Sequence, residues 1–174
     1  RGVEHQQQLG SGGTRGLGTA IAKRLAALGA RVAVTSRDAG SAATAARDLP
    51  GGIGIGCEVS DSRSVATAVA TLLDQAGRID ILVNNAGIAP PPAPIERTTE
   101  EDWDRVIAAD LKGPFLLCRE VVPAMKRHGA GRIVNIGSTG WKTSFNPIIP
   151  YAAAKGGLVS LTRLLAMELA GTVI

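Results

Sequence analysis

A chain of 174 residues is long enough to bury a core of its own, and 45% hydrophobic with 20% charged residues is the balance of a folded globular domain, not of a disordered chain. The net charge of +4 comes from lysines and arginines scattered among acids, with no basic run and 3% aromatics, which argues against a nucleic-acid partner. No stretch approaches the roughly eighteen uninterrupted apolar residues of a membrane span, and RGVEHQQQLG lacks the apolar segment of a signal peptide, so a soluble, cytoplasmic protein without a membrane partner is expected.

Taken in chain order, the pattern alternates between helix and strand, which is how a parallel sheet covered by helices on both faces is written. Before the glycine cluster, VEHQQQLG is polar and lacks alternation, a poor candidate for a central strand: either it is not one, or the recorded chain does not carry the native terminus. Leu17, Ile21, Leu25 and Leu28 recur at spacings of four, four and three, one face of a helix that Gly29 can end. RVAVTS, 31 to 36, reads as a strand, 39 to 48 as a helix, and GIGIGCEV, 52 to 59, as a glycine-loosened strand. Asp61 can cap a helix to about 76, and RIDILVNN supplies a buried strand, 78 to 84, ending in the turn Asn84-Asn85-Ala86-Gly87. The prolines at 90 to 94 mark a loop, and Thr98 with Glu101 has the spacing of a capping box for a helix to about Leu111. Residues 113 to 128 suit another helix, with Pro114 tolerated near its start and Pro123 expected to kink or break it. A strand over 131 to 137, an irregular stretch over 138 to 150 and a helix from Tyr151 to about Ala170 follow. No repeat or linker divides the chain, so one domain, 1 to 174, is expected.

Cys57 and Cys118 lie far apart with no CxxC or Cys/His spacing, so buried, reduced thiols are expected and no metal site. His128, beside Lys126 and Arg127, suits a helix C-terminus better than catalysis, and His5 lies in a Gln-rich terminus.

SGGTRGLG places Gly12, Gly16 and Gly18 at the mouth of the first helix, where side-chain-free backbone lets a pyrophosphate approach free N–H groups. Tyr151 and Lys155, four apart on a helix, share a face. A phenol is ordinarily protonated at neutral pH, and a nearby ammonium favours the phenolate, so Tyr151 can act as a general acid or base. Ser138 follows a strand, where open parallel sheets collect their ligands, and its hydroxyl can polarise a substrate oxygen. The bland alternative is an ordinary i,i+4 pair with a turn serine.

Gly-xxx-Gly-x-Gly, the NNAG turn after the fourth strand, LKGPF opening the fifth helix, Ser138 after the fifth strand and Tyr151-Ala-Ala-Ala-Lys155 occur in the order of the short-chain dehydrogenase/reductase family, which the chain resembles over roughly 11 to 170. The resemblance implies a doubly wound Rossmann-type α/β fold, here without the family's late strands. It also implies hydride exchange between a nicotinamide cofactor and a small carbonyl or alcohol substrate, with self-association as a homodimer or homotetramer through the helices at 113 to 128 and 151 to 170. Leu158, Leu161 and Leu165 could serve that interface or the core. The cofactor contacts so implied are Gly12, Thr14, Arg15, Gly16, Leu17, Gly18, Arg37, Glu58, Val59, Asn85, Ala86, Gly87, Tyr151 and Lys155; Ser138 and Tyr151 would meet substrate. Lys155 would also hydrogen-bond the nicotinamide ribose.

The chain departs from the family at Asp110, where the fourth catalytic position is an asparagine that helps hold a water between the lysine and solvent. The negative charge would bind Lys155 differently. Trp141 and Phe145 could wall a substrate pocket or pack beneath their loop. At the end of the second strand, where NAD-preferring sites commonly place an acid, stand Ser36 and then Arg37, and Arg15 lies in the glycine loop. Two guanidiniums suit a 2′-phosphate, so NADP(H) is the expected cofactor and NAD(H) the lesser choice. The alternative is that Arg37 pairs with Asp38 in solvent. A competing function is a cofactor-binding scaffold or regulatory protein of the same fold that has lost turnover.

Overall fold

The computed structural model describes residues 6–143 and 147–171. Five strands, β1 (Gln7–Gly10), β2 (Arg31–Ser36), β3 (Ile53–Gly56), β4 (Ile81–Asn84) and β5 (Arg132–Asn135), form one parallel sheet in the order β3-β2-β1-β4-β5. The helices are α1 (Gly16–Ala27), α2 (Ala39–Arg47), α3 (Ser62–Ala76), α4 (Glu100–Ile107), α5 (Gly113–His128), the short α6 (Gly140–Thr143) and α7 (Ile149–Glu168). A π-helical segment, Ala108–Lys112, joins α4 to α5.

Strand β2 alternates between two cores. Val32 and Val34 face Ala22 of α1 and Ala46 of α2, while Ala33 faces the larger cluster built from α3 and α5 with Leu9 and Leu82. Helices thus cover both faces, as the doubly wound pattern requires, and the five strands leave the family's late strands absent from the described sheet. The chain runs outward from β1 to β3 and then returns to β4, so the sheet order reverses between β1 and β4. In open parallel sheets ligands bind outside the carboxyl ends of the strands at such a reversal.

Several expectations are corrected. The polar opening segment does form the central strand. Its main chain is held on both sides, with Arg31 N–H donating to Gln6 O at 2.9 Å, Asp80 N–H to Gln7 O at 2.8 Å and Ser11 N–H to Val83 O at 3.0 Å. Backbone pairing to two apolar neighbours outweighs poor side-chain pattern here: Leu9 is the residue of β1 that joins the larger core, and Gln8 is buried with its Oε1 lacking a hydrogen-bond partner among the described residues. Such an orphaned acceptor costs about 1–3 kcal/mol. In α1 the buried face is Gly18 and Ala22, whereas Leu17 and Leu28 are exposed, because small residues let the helix lie close on the sheet.

The cap of α4 is Thr99, whose Oγ1 accepts from Asp102 N–H at 3.1 Å; Thr98 instead donates to Pro94 O at 3.2 Å. Helix α5 continues through Pro123, which lies on its exposed side, where water can satisfy the carbonyl one turn back. Helix α7 starts at Ile149, with Pro150 in its first turn, and α6 occupies part of the stretch expected to be irregular. Leu158 is buried and so serves the core; Leu161 and Leu165 are half-buried.

Candidate active site

The loop after β1 and the loop after β4 are laced together. Ser11 Oγ accepts from Asn85 N–H and from Ala86 N–H, both at 3.0 Å, and donates to Val83 O at 3.4 Å. Asn85 Nδ2 returns two bonds, to Ser11 O at 3.1 Å and Gly12 O at 3.2 Å. Ser11 escaped the reading of the sequence, because a serine beside glycines looks like any turn residue.

Several loop positions call for glycine, two of them at the turn and the helix mouth. Gly12 has φ +65°, a left-handed conformation that favours glycine, and a Cβ at Gly18 would stand 2.2 Å from Gly12 O. The first turn of α1 carries neither a capping side chain nor an acid, so its free N–H groups are available to an anion. A Cβ at Gly16 would meet nothing within 4 Å, which shows open space before that turn.

Gly12, Thr14, Arg15, Ser36, Arg37, Glu58, Val59, Asn85, Ala86 and Gly87 line one cleft of about 360 Å³. Gly16, Leu17 and Gly18 do not line it: Gly18 is buried beneath the loop and Leu17 is exposed on the outer surface. A broader groove between α1 and α2, about 770 Å³, shares Arg15, Ser36 and Arg37 with the cleft and adds Lys23, a cation that an unmarked helix position does not advertise. Neither Arg15 nor Arg37 forms an ion pair among the described residues. Asp38 is engaged in capping α2, accepting from Ser41 N–H at 2.7 Å, and hydrogen bonding from Ser41, its side chain first and then its backbone N–H, holds the carboxyl below the ordinary value. The solvent pairing of Arg37 with Asp38 is therefore not formed.

At the carboxyl end of β5, Ser138 Oγ accepts from Gly140 N–H at 3.0 Å. A Cβ built at Gly140 would lie 3.2 Å from Ser138 Oγ and 3.6 Å from Tyr151 Cε1, so the two side chains flank one glycine. Lys155 Nζ lies 5.5 Å from the centroid of the Tyr151 ring, donates to Ile136 O at 3.0 Å and stands 3.5 Å from Asp110 Oδ2. Asp110, on the π-helical segment, also accepts from Ile88 N–H at 2.7 Å through Oδ1. Burial pushes its carboxyl above the ordinary value, opposed by the Ile88 N–H and the Lys155 ammonium. The family's asparagine position is thus filled by a carboxylate in a direct ion pair.

The remaining candidates fall outside this group. His128 ends α5 beside Lys126 and Arg127, as expected of a helix C-terminus. Trp141 is 43% exposed on α6, with its Cβ against Gly156, and Phe145 and His5 lie outside the described residues. No group of three or more potential metal ligands occurs among the described residues, and no described helix is long and apolar enough to cross a membrane.

Comparison with known proteins agrees with this geometry. Over 170 residues the chain is 42% identical to a Streptomyces violaceoruber protein named as ketoacyl reductase 1 of the granaticin polyketide synthase, covering 94% of this chain and 62% of the relative. It therefore spans less than two thirds of that relative's length. Among solved structures, 3-ketoacyl-(acyl-carrier-protein) reductase from Brucella melitensis, complexed with NADH, superposes with a TM-score of 0.95 at 34% identity, over 98% of this chain and 73% of the other. A metagenomic short-chain oxidoreductase in complex with NADP gives 0.92 at 35% identity, over 98% and 80%. A model of the short chain dehydrogenase family matches residues 9–174, from the strand that carries the glycine loop through the helix that carries Tyr151 and Lys155, and the chain belongs to that family.

Proposed function

We propose that the chain is the cofactor-binding and catalytic part of an NADP(H)-dependent oxidoreductase that interconverts a carbonyl and an alcohol, with a 3-ketoacyl compound as the favoured substrate class. The carrying observation is the convergence of Ser138, Tyr151 and Lys155 at the carboxyl ends of the strands, on the same side as the glycine loop and its cleft. Ketoacyl reductases among the relatives support the substrate class. Solved relatives hold either NADH or NADP, so the cofactor choice rests on Arg15 and Arg37, two cations at the cleft with no ion pair among the described residues, and with Ser36 where an acid would stand.

The cleft fits a dinucleotide: the glycine-loop residues Gly12, Thr14 and Arg15 line it, and the uncapped first turn of α1, with open space at Gly16, follows them directly in the chain. The nicotinamide, when bound, supplies or accepts the hydride. The Tyr151 hydroxyl gives its proton to the substrate oxygen during reduction and takes one back during oxidation. Ser138 donates a hydrogen bond to that same oxygen, and the Lys155 ammonium, held by Ile136 O, favours the phenolate of Tyr151.

The test is oxidation of NADPH over a panel of carbonyl compounds, with Tyr151→Phe beside the unmutated protein. Loss of turnover by about 10²- to 10⁴-fold with cofactor affinity nearly unchanged is expected, because the exchangeable proton is removed and little binding surface with it. Comparable turnover in the variant rejects Tyr151 as the acid/base. Cofactor binding with no turnover in the unmutated protein favours the scaffold role.

A further inference from the structure

We propose that Asp110 is a positioning residue that sets the pH at which Tyr151 exchanges its proton. Its carboxylate balances the buried Lys155 ammonium, so Tyr151 ionises at higher pH than it would with a neutral side chain in that place. The inference rests on the reading of Tyr151 as the acid/base.

Both members of the pair are withdrawn from water, the Lys155 side chain 5% and the Asp110 side chain 0% exposed. Asp110 Oδ1 is occupied by Ile88 N–H, while Oδ2 has no hydrogen-bond partner and faces Lys155 Nζ at 3.5 Å. Room for that oxygen depends on the NNAG turn, since a Cβ at Gly87 would stand 2.7 Å from it. The ammonium that lies over Tyr151 is therefore not a bare positive charge but one end of an ion pair. A compensated ammonium stabilises a phenolate less than an isolated one does, and low exposure keeps solvent from erasing the difference.

No other ionised group competes for this role among the described residues packed around Asp110. Helix α7 contributes Lys155 and Tyr151; the loop after β4 contributes the backbone N–H of Ile88. On α4, Arg105 is bound to Asp102 at 2.6 Å, and at the end of the π-helical segment Lys112 is exposed. Cys118 of α5 is buried and accepts from Asn84 Nδ2, and burial pushes its thiol up to about 11. Burial pushes the Asp110 carboxyl above its ordinary value, against the Ile88 N–H and the Lys155 ammonium, which pull it down; once the carboxyl takes up a proton, Lys155 is left uncompensated.

Tyr151 is the single tyrosine of the chain, so its ionisation is read directly from the near-ultraviolet absorbance of the phenolate, without cofactor or turnover. Asp110→Asn and Asp110→Ser, each checked for folding by circular dichroism, are both expected to lower the phenolate midpoint by about one pH unit, the size of a unit-charge effect at an effective dielectric near 20. An unchanged or raised midpoint in a folded variant overturns the proposal. Carbon-13 NMR of the aspartate carboxyls in the unmutated chain is independent of whether either variant folds. An ionised Asp110 at the pH where Tyr151 is half-titrated supports the proposal, and a protonated one overturns it. Because the titration involves no turnover, its failure is distinct from failure of the Tyr151→Phe test, which judges the catalytic reading itself.

Discussion

Replacing Ser11 by alanine should damage the protein more than any other removal of one small hydroxyl around the cleft. The side chain is 3% exposed, and its Oγ is the acceptor for both Asn85 N–H and Ala86 N–H. Alanine leaves two partly buried donors without that acceptor, and no neighbouring side chain replaces it. At about 1–2 kcal/mol for each donor, the expected loss is about 2–4 kcal/mol. This is a large share of the 5–15 kcal/mol or so that typically holds a domain together. Urea unfolding followed by circular dichroism reads the loss as a lower midpoint at unchanged slope. Ser62→Ala, at the exposed start of α3, is the control and should stay within about 0.5 kcal/mol of the unmutated chain. If Ser11→Ala also falls within that margin, the two loops are not held by this hydroxyl and the account of the cleft floor is wrong.

Two further outcomes follow from the cleft and the core. Arg37→Ala and Arg15→Ala should each weaken NADPH binding roughly ten- to a hundredfold while NADH binding changes little, as measured by fluorescence titration. Equal affinities for the two cofactors in the unmutated protein would return Arg37 to a solvent-facing role. Burial pushes the Cys57 and Cys118 thiols up to about 11, so at pH 8 only about one part in a thousand is thiolate. A thiol reagent should therefore label neither in the native chain at pH 8, label faster as the pH rises toward 11, and label both on unfolding in urea. Rapid labelling of the native protein at pH 8 would contradict their burial.

What the residues announced, and what they hid, divides along a physical line. Motifs whose side chains or glycines act locally were legible: Gly12 at its positive φ, Asp61 accepting from Ser64 N–H at the start of α3, and Tyr151 one turn from Lys155. Features decided by partners distant in sequence were not. Gln7–Gly10 reads as polar coil until β2 and β4 supply the ladder on either side. Pro123 reads as a helix breaker until the helix is seen to turn that residue toward solvent. Ser11 and Lys23 took on significance only when loops some seventy residues apart, or two helices, closed around them. Of the candidate site, Tyr151, Lys155 and Ser138 were legible as types and positions, and Asp110 only through the family resemblance. That the charge of Asp110 would act on Lys155 followed from the resemblance; the burial of the pair and its 3.5 Å separation, across 45 residues of chain, needed the fold.

The π-helical segment Ala108–Lys112 makes chain length between α4 and α5 a constrained quantity for this molecule. Each helical residue advances the chain by about 100° and 1.5 Å, so deleting one residue there would rotate everything after it against everything before it by that amount. Asp110 would swing off the line to Lys155, or the buried face of α5 would be turned out of the core. The wide turn therefore acts as a length gauge, tying the placement of one carboxylate to the register of a sixteen-residue helix.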